Sequence, residues 1–380
     1  MRTTVFLIFF GIILAIYSAA NYYLYSRGIQ AFSIAQPYKR WFLIAYVIVT
    51  YSFFVGIIME RVASSAFSEW IFRVGTFWLP FMLYLLIAVV FIDLVRLANL
   101  AFNFLPQVTT QLKMGVGIAV FAVVGIVVLA GHINALRVDV RKVPLTINKK
   151  VDGNNQMRIL MASDIHLGAL IGERREKKLL DIINDEKPDL VLLCGDLIDS
   201  EIAPVLRKNL GKHIQDIKTP MGVYAITGNH EYIGGIDKSL AYLKSIHINM
   251  LLDSVVTLPN GVHLVGRNDR SAGHGANGQK PLAELMESVD HSKPIIVMNH
   301  QPYNLSEASD AKADLHLSGH THHGQMWPFN YITKAMFELS WGYLKKADTH
   351  FYVSSGFGTW GPTVRLGNRP EVVVFDLKFE

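Results

Sequence analysis

Four stretches without one charged side chain set the first limit on what this chain can fold into. Residues 3–26 give 24 such positions, 41–59 give 19, 74–92 give 19 and 114–136 give 23. A helix needs about 20 apolar residues to cross a bilayer core. Arg, Lys, Asp or Glu bracket the runs, and Trp41, Trp70 and Trp78 stand near ends where aromatic belts form. Four buried core helices would need amphipathic partners, which residues 1–136 lack. The expectation is an N-terminal four-helix transmembrane domain over 1–136. The first run is also built like a signal peptide, with Ser18 and Ala20 as small residues at a cleavage site.

The chain has 380 residues, enough for a second domain. Arg137, Arg141, Lys142, Lys149 and Lys150 make residues 137–155 a basic linker, suited to anionic headgroups or simply solvated. The net charge of +5 is too modest and too local to argue for nucleic acid, so no nucleic-acid partner is expected. One cysteine, Cys194, excludes an internal disulfide. Nothing in the sequence sets the oligomeric state.

From residue 156 the pattern is α/β. "MRILMAS", "DLVLLCG", "GVYAITG" and "PIIVMNH" are short apolar runs of the kind that form buried strands, separated by charged helical segments. "THFYVSSG" and "EVVVFDLKF" read as further strands. Asp164 and His166 follow the first run, Asp196 the second, Asn229 and His230 the third, and His300 the fourth. Strand ends in open α/β sheets are where ligands bind. Four strands thus deliver side chains able to hold a metal to one edge.

The segment "LSGHTHHGQ" adds His320, His322 and His323. Carboxylate, imidazole and amide oxygen together suit a hard or borderline divalent ion. Asp164 and His166 lie two apart, as do His320 and His322, and on extended backbone each pair points one way. In order, the blocks are "DIH", "GDLID", "GNHE", an isolated His300 and "GHTH". They resemble the calcineurin-like metallophosphoesterase family over residues 156–380, and most of all its membrane-attached bacterial phosphodiesterase branch. The resemblance implies a β-sandwich flanked by helices, with two divalent metal ions, Mn, Fe or Zn. One would be held by Asp164, His166 and His322, the other by Asn229, His300 and His320, with Asp196 bridging. Two such ions, about 3.5–4 Å apart, clamp phosphoryl oxygens and acidify water. His230 matches the family's histidine that protonates the leaving group, and Asp199 the carboxylate that orients it.

Other residues are weighed against plainer roles. On an extended loop His323 points away from its neighbours by parity; it reaches the substrate or is a solvated loop residue. Arg365, in "GTWGPTVRLGN", brings a cation near the phosphate or is a surface hairpin arginine. Cys194 is expected as a small core residue and Glu231 as a support for its loop. Residues 325–346 are unusually aromatic: a flap on a membrane surface or over a lipid tail, or a helix capping the sheet.

The expected function is hydrolysis of a phosphodiester or pyrophosphate bond by a membrane-anchored enzyme. A lipid-linked substrate and a nucleotide substrate both remain open, beside a non-catalytic metal-binding scaffold. The scaffold is disfavoured because every ligand position holds a competent residue. Four spans place the N-terminus and the catalytic domain on one side. Arg2, Arg61, Arg73, Arg137, Arg141, Lys142, Lys149 and Lys150 fall on that side, and Arg27, Lys39, Arg40, Arg96 and Lys113 on the other. The positive-inside rule then favours a cytoplasmic domain, whereas the resemblance implies the outer face. Removal of the first run as a signal peptide would leave this outcome unchanged.

Overall fold

The computed structural model describes residues 2–273 and 278–380, so His274 lies outside the described residues. Two compact units divide the chain, 1–131 and 132–380. In the first, the apolar runs form helices α1 (Arg2–Phe32), α2 (Gln36–Ala63), α3 (Ala66–Phe102) and most of α4 (Thr110–Leu136). All four are long and apolar enough to cross a membrane. α2 and α3 are joined through Ser65, whose hydroxyl accepts from the Ser68 N–H as an N-cap. Gly56 and Gly75 let the two backbones touch: a Cβ at either would strike the backbone of Phe72 or Phe53. Asn21, buried in α1, accepts hydrogen bonds from Tyr46 and Trp78, so polar contacts join three helices.

The second unit stacks two six-stranded sheets. The first has the order β1-β12-β2-β3-β4-β5, from Asp139–Ile147, Glu371–Phe379, Gln156–Ala162, Leu190–Cys194, Val223–Ile226 and Asn249–Met250. The second runs β10-β11-β9-β8-β7-β6, from Gly342–Lys346, Thr349–Val353, Leu315–Ser318, Ile295–Met298, His263–Gly266 and Ser254–Thr257. Side-chain alternation builds the layers. Met157, Ile159 and Met161 of β2, with Leu190, Leu192 and Cys194 of β3, enter the core between the sheets, together with Ile296, Met298, Leu315 and Leu317. Leu160 and Ala162, with Val191 and Leu193, face the other way onto Leu179 and Ile183 of α5 (Glu173–Glu186). Because both faces of the central strands are covered, Ile159–Ala162 and Leu190–Cys194 are apolar throughout. Cys194 is fully buried, and burial pushes its thiol up.

Residues 137–155 are more than a linker. β1 pairs in parallel with β12 at the sheet edge, where Pro144 is tolerated because edge strands can spare an N–H. Arg141 pairs with Glu371 and Lys142 with Glu186.

Candidate metal centre

The C-terminal ends of β2, β3, β4, β8 and β9 lead directly into the candidate ligands. Asp164, His166, Asp196, His320 and His322 all have positive φ, between +45° and +72°. Left-handed backbone costs a non-glycine residue of order 1–3 kcal/mol and persists only where surrounding structure enforces it. The expectation of extended D-x-H and H-x-H segments is therefore corrected. Tight turns, and not strand parity, aim these side chains. Backbone bonds hold the turns: the Asp164 N–H donates to Gly195 O, and the His166 N–H to Asp196 O, both at 3.0 Å.

Two groups of donors result. Asp164, His166 and His322 offer atoms within 4.8 Å of one another, as do Asp196, His300 and His320. The His322 Nε2 lies 3.1 Å from His166 Nε2 and 3.4 Å from Asp164 Oδ1. Asn229 Oδ1 is 2.8 Å from His320 Nδ1, which brings the amide to the second group. Asp196 stands between them, its Oδ2 3.1 Å from His300 Nε2 and 3.9 Å from His166 Nε2. A third set, His166, Asp199 and His230, meets the same distance limit. Within it Asp199 Oδ1 is 3.1 Å from His230 Nδ1, which Ser200 Oγ also approaches at 2.9 Å.

The electrostatics divide the residues further. Burial disfavours the Asp164 carboxylate and raises its pKa, with Asp196 adding repulsion. Asp196 is held well below the usual range, because the imidazoles of His300, His230 and His166 outweigh its burial. Burial pushes His320 down to about 3, helped by the nearby His300. His322 is lowered too, by burial and by the Arg365 guanidinium. Metal-binding imidazoles must be free of their second proton. Two imidazoles go the other way: burial opposes their charge, but Asp199 and Asp196 prevail at His230 and raise it to about 9, and Asp196 and Asp164 prevail at His300 and hold it well above its usual range. His300 Nε2 is buried beside Asp196 without a hydrogen bond. A buried ring nitrogen left so is costly, and carboxylate and imidazole around it are the donor set a divalent ion takes. The residues fit such a group.

Arg365 is not a surface arginine reaching for phosphate. It is fully buried, and its guanidinium donates to the carbonyls of Ser355, Gly356 and Gly358 and to His322 Nδ1 at 3.0 Å. Guanidinium can only donate, so in this contact His322 Nδ1 is the acceptor. His323 is likewise not a solvated loop residue. It is buried, with Nδ1 3.0 Å from Ser340 Oγ and its ring 5.0 Å from that of Trp341. Glu231 supports its loop, accepting from the N–H groups of Asp196, Ile198 and Gly228.

Sequence reasoning missed several supports. Asn368 donates to the His322 carbonyl. Gly228 lies where a Cβ would fall on the Asp196 carboxylate. Gly356, at φ +86°, faces Asp164 and His322. A glycine beside a ligand motif is the available signal for the first of these glycines; Asn368 and Gly356 lie far along the chain and give none.

The calcineurin-like phosphoesterase family model matches residues 157–324. An uncharacterized metallophosphoesterase of Campylobacter jejuni is 30% identical over 389 residues, covering 98% of this chain and 99% of that protein. A "transmembrane protein with metallophosphoesterase domain" of Bos taurus is 32% identical over 70% of this chain and 62% of its own length. Among solved structures, a dimetal phosphatase from Danio rerio is similar at TM-score 0.35 and 12% identity, over 53% of this chain and 87% of that one. With a relative matched along nearly its whole length, this chain belongs to the calcineurin-like metallophosphoesterases, hydrolases of phosphoester bonds.

Proposed function

We propose that this protein is a membrane-anchored, multi-pass hydrolase of a phosphodiester or pyrophosphate bond that works with two divalent ions. The observation that carries the reading is the pair of largely buried donor groups, Asp164/His166/His322 and Asp196/His300/His320, set side by side at four strand ends. Asn229 would complete the second group and Asp196 would serve both. When bound, the ions supply positive charge for the phosphoryl oxygens and make water acidic enough to attack at neutral pH.

The chain's own residues do the rest. Asp196 offsets the charge of the ions. Asp199 fixes the His230 ring through Nδ1 and keeps it protonated, leaving Nε2 to hold a proton for the departing alkoxide. Arg365 and Asn368 hold His322 in its turn. The substrate we favour is lipid-linked; a nucleotide is the second reading, since the ligand set alone serves either. We place the catalytic domain on the cytoplasmic face of the cell membrane, from the balance of Lys and Arg.

The test is elemental analysis of the purified full chain, followed by a phosphoester panel that includes lipid pyrophosphates and nucleotides. Two equivalents of metal and chelator-sensitive turnover are expected. One ion only, or turnover that survives complete metal removal, would overturn the two-metal reading. A substrate cleaved only in detergent or a bilayer separates lipid from nucleotide.

A further inference from the structure

The helix Phe329–Met336 is inverted for a solvated domain. Its less exposed positions are Asn330 and Thr333, with buried Phe337 one turn on, so its polar side lies inward. Tyr331, Ile332 and Met336 are 62, 54 and 59% exposed, and Phe329 is exposed beside them. A helix on a soluble domain buries its apolar stripe and shows its polar one. An exposed apolar patch of this kind marks a partner or a membrane. Trp327 and Trp360 extend it, at 46 and 60% exposure. They are tied together: Gln325 exchanges hydrogen bonds with the Trp360 backbone, and the Trp327 N–H donates to Leu366 O.

What covers the patch is indicated by the loop that carries Trp360. Within the second unit, this loop also grips the last turn of α4. His132 Nδ1 is 2.7 Å from Thr363 O, and Asn134 donates to the carbonyls of Arg365 and Asn368. α4 is long and apolar enough to cross a membrane, so the patch is built on the loop that holds the point where the chain would leave the bilayer. Composition agrees. Residues 315–337 contain no carboxylate and a single lysine, Lys334, with Trp and Tyr among them. Those residue types gather at the lipid–water boundary. The patch also adjoins the centre: the helix begins seven residues after His322, and Phe337 meets the His320 ring edge-on at 6.1 Å.

We infer that the Phe329–Met336 helix, with Trp327 and Trp360, lies in the headgroup layer of the bilayer. It holds the site at the membrane surface, where a phosphoester bearing acyl or prenyl chains is cleaved without leaving the lipid. The inference rests on reading α1–α4 as membrane spans, and it narrows the substrate of the proposed hydrolase to an amphiphile.

The test uses the full chain in nanodiscs of phosphatidylcholine and phosphatidylglycerol. In a Cys194→Ala background, Tyr331→Cys, Ile332→Cys or Met336→Cys carries an environment-sensitive fluorophore. Lys378→Cys, seven residues along β12 from Glu371, is the reference. Helix labels should lose fluorescence to brominated acyl chains and resist aqueous iodide, and the reference label should do the reverse. Helix labels as open to iodide as the reference, and indifferent to bromine, would overturn the proposal. Shielding from both quenchers would overturn it too, by showing a protein partner or second copy on the patch. None of these readouts needs catalysis, so failure of the hydrolase reading shows separately, as unlabelled protein without turnover. As a second arm, Ile332→Ser with Met336→Ser should raise KM for a vesicle-borne amphiphile and leave that for bis(p-nitrophenyl) phosphate unchanged; an equal change for both would count against the inference.

Discussion

At the scale of single residues, the proposal separates groups that hold metal from a group that moves a proton. Asp196 approaches His300 of one donor group and His166 of the other, and three imidazoles hold it ionised. Asp196→Asn keeps the shape and removes the charge, so it should release at least one ion and abolish turnover more completely than loss of any terminal ligand. Elemental analysis showing two metals with near-normal turnover would contradict this. His230→Gln should instead retain both ions. General acid catalysis is worth about 10²–10⁴-fold, and kcat should fall by that order for alkoxide leaving groups. Nitrophenolate needs less protonation and should be hurt less; equal losses for good and poor leaving groups would end the acid role. Residue types and order made this set legible, since carboxylate, imidazole and amide follow consecutive apolar runs. Arg365 was misjudged because its partners, the Ser355, Gly356 and Gly358 carbonyls and His322, meet only in three dimensions.

At the scale of elements, the buried strands were readable because central strands covered on both faces are apolar at every position, as Leu190–Cys194 is. β1 was not, because the alternation of Val143, Leu145 and Ile147 is short and follows the charged pair Arg141 and Lys142, whose partners Glu371 and Glu186 lie far along the chain. The inward face of the Phe329–Met336 helix was equally hidden, since a helical pattern shows two faces but not which one is packed. The His320–Gly324 segment departs from the expected geometry: it is a left-handed turn and not an extended loop. The turn still sends His323 toward Ser340 and away from the donor groups. His323→Ala should therefore keep both ions, with at most the stability loss of one buried hydrogen bond, about 0.5–1.5 kcal/mol. His320→Ala and His322→Ala should each lose one ion. Metal loss in the His323 variant equal to that of the other two would make it a ligand.

At the scale of the whole molecule, the open matter is which side of the membrane the chemistry faces. On the proposed reading of α1–α4 as membrane spans the chain returns to the side on which it starts, and the Lys and Arg count there is eight against five. Three of the eight, Arg141, Lys142 and Lys149, are paired with Glu371, Glu186 and Asp314 in the folded domain. That pairing does not discount them, because the rule counts Lys and Arg near the span ends and gives carboxylates little weight. The margin nevertheless depends wholly on the stretch after α4. Replacing Arg137, Arg141, Lys142, Lys149 and Lys150 with glutamine leaves three against five and should turn the topology over in part or whole. The measurement is a pair of reporters fused after Glu380. In the parent chain a cytoplasm-only fluorescent protein should glow and alkaline phosphatase stay inactive; in the five-fold variant the balance should shift toward active phosphatase. Active phosphatase on the parent chain would put the catalytic domain outside and reverse the assignment.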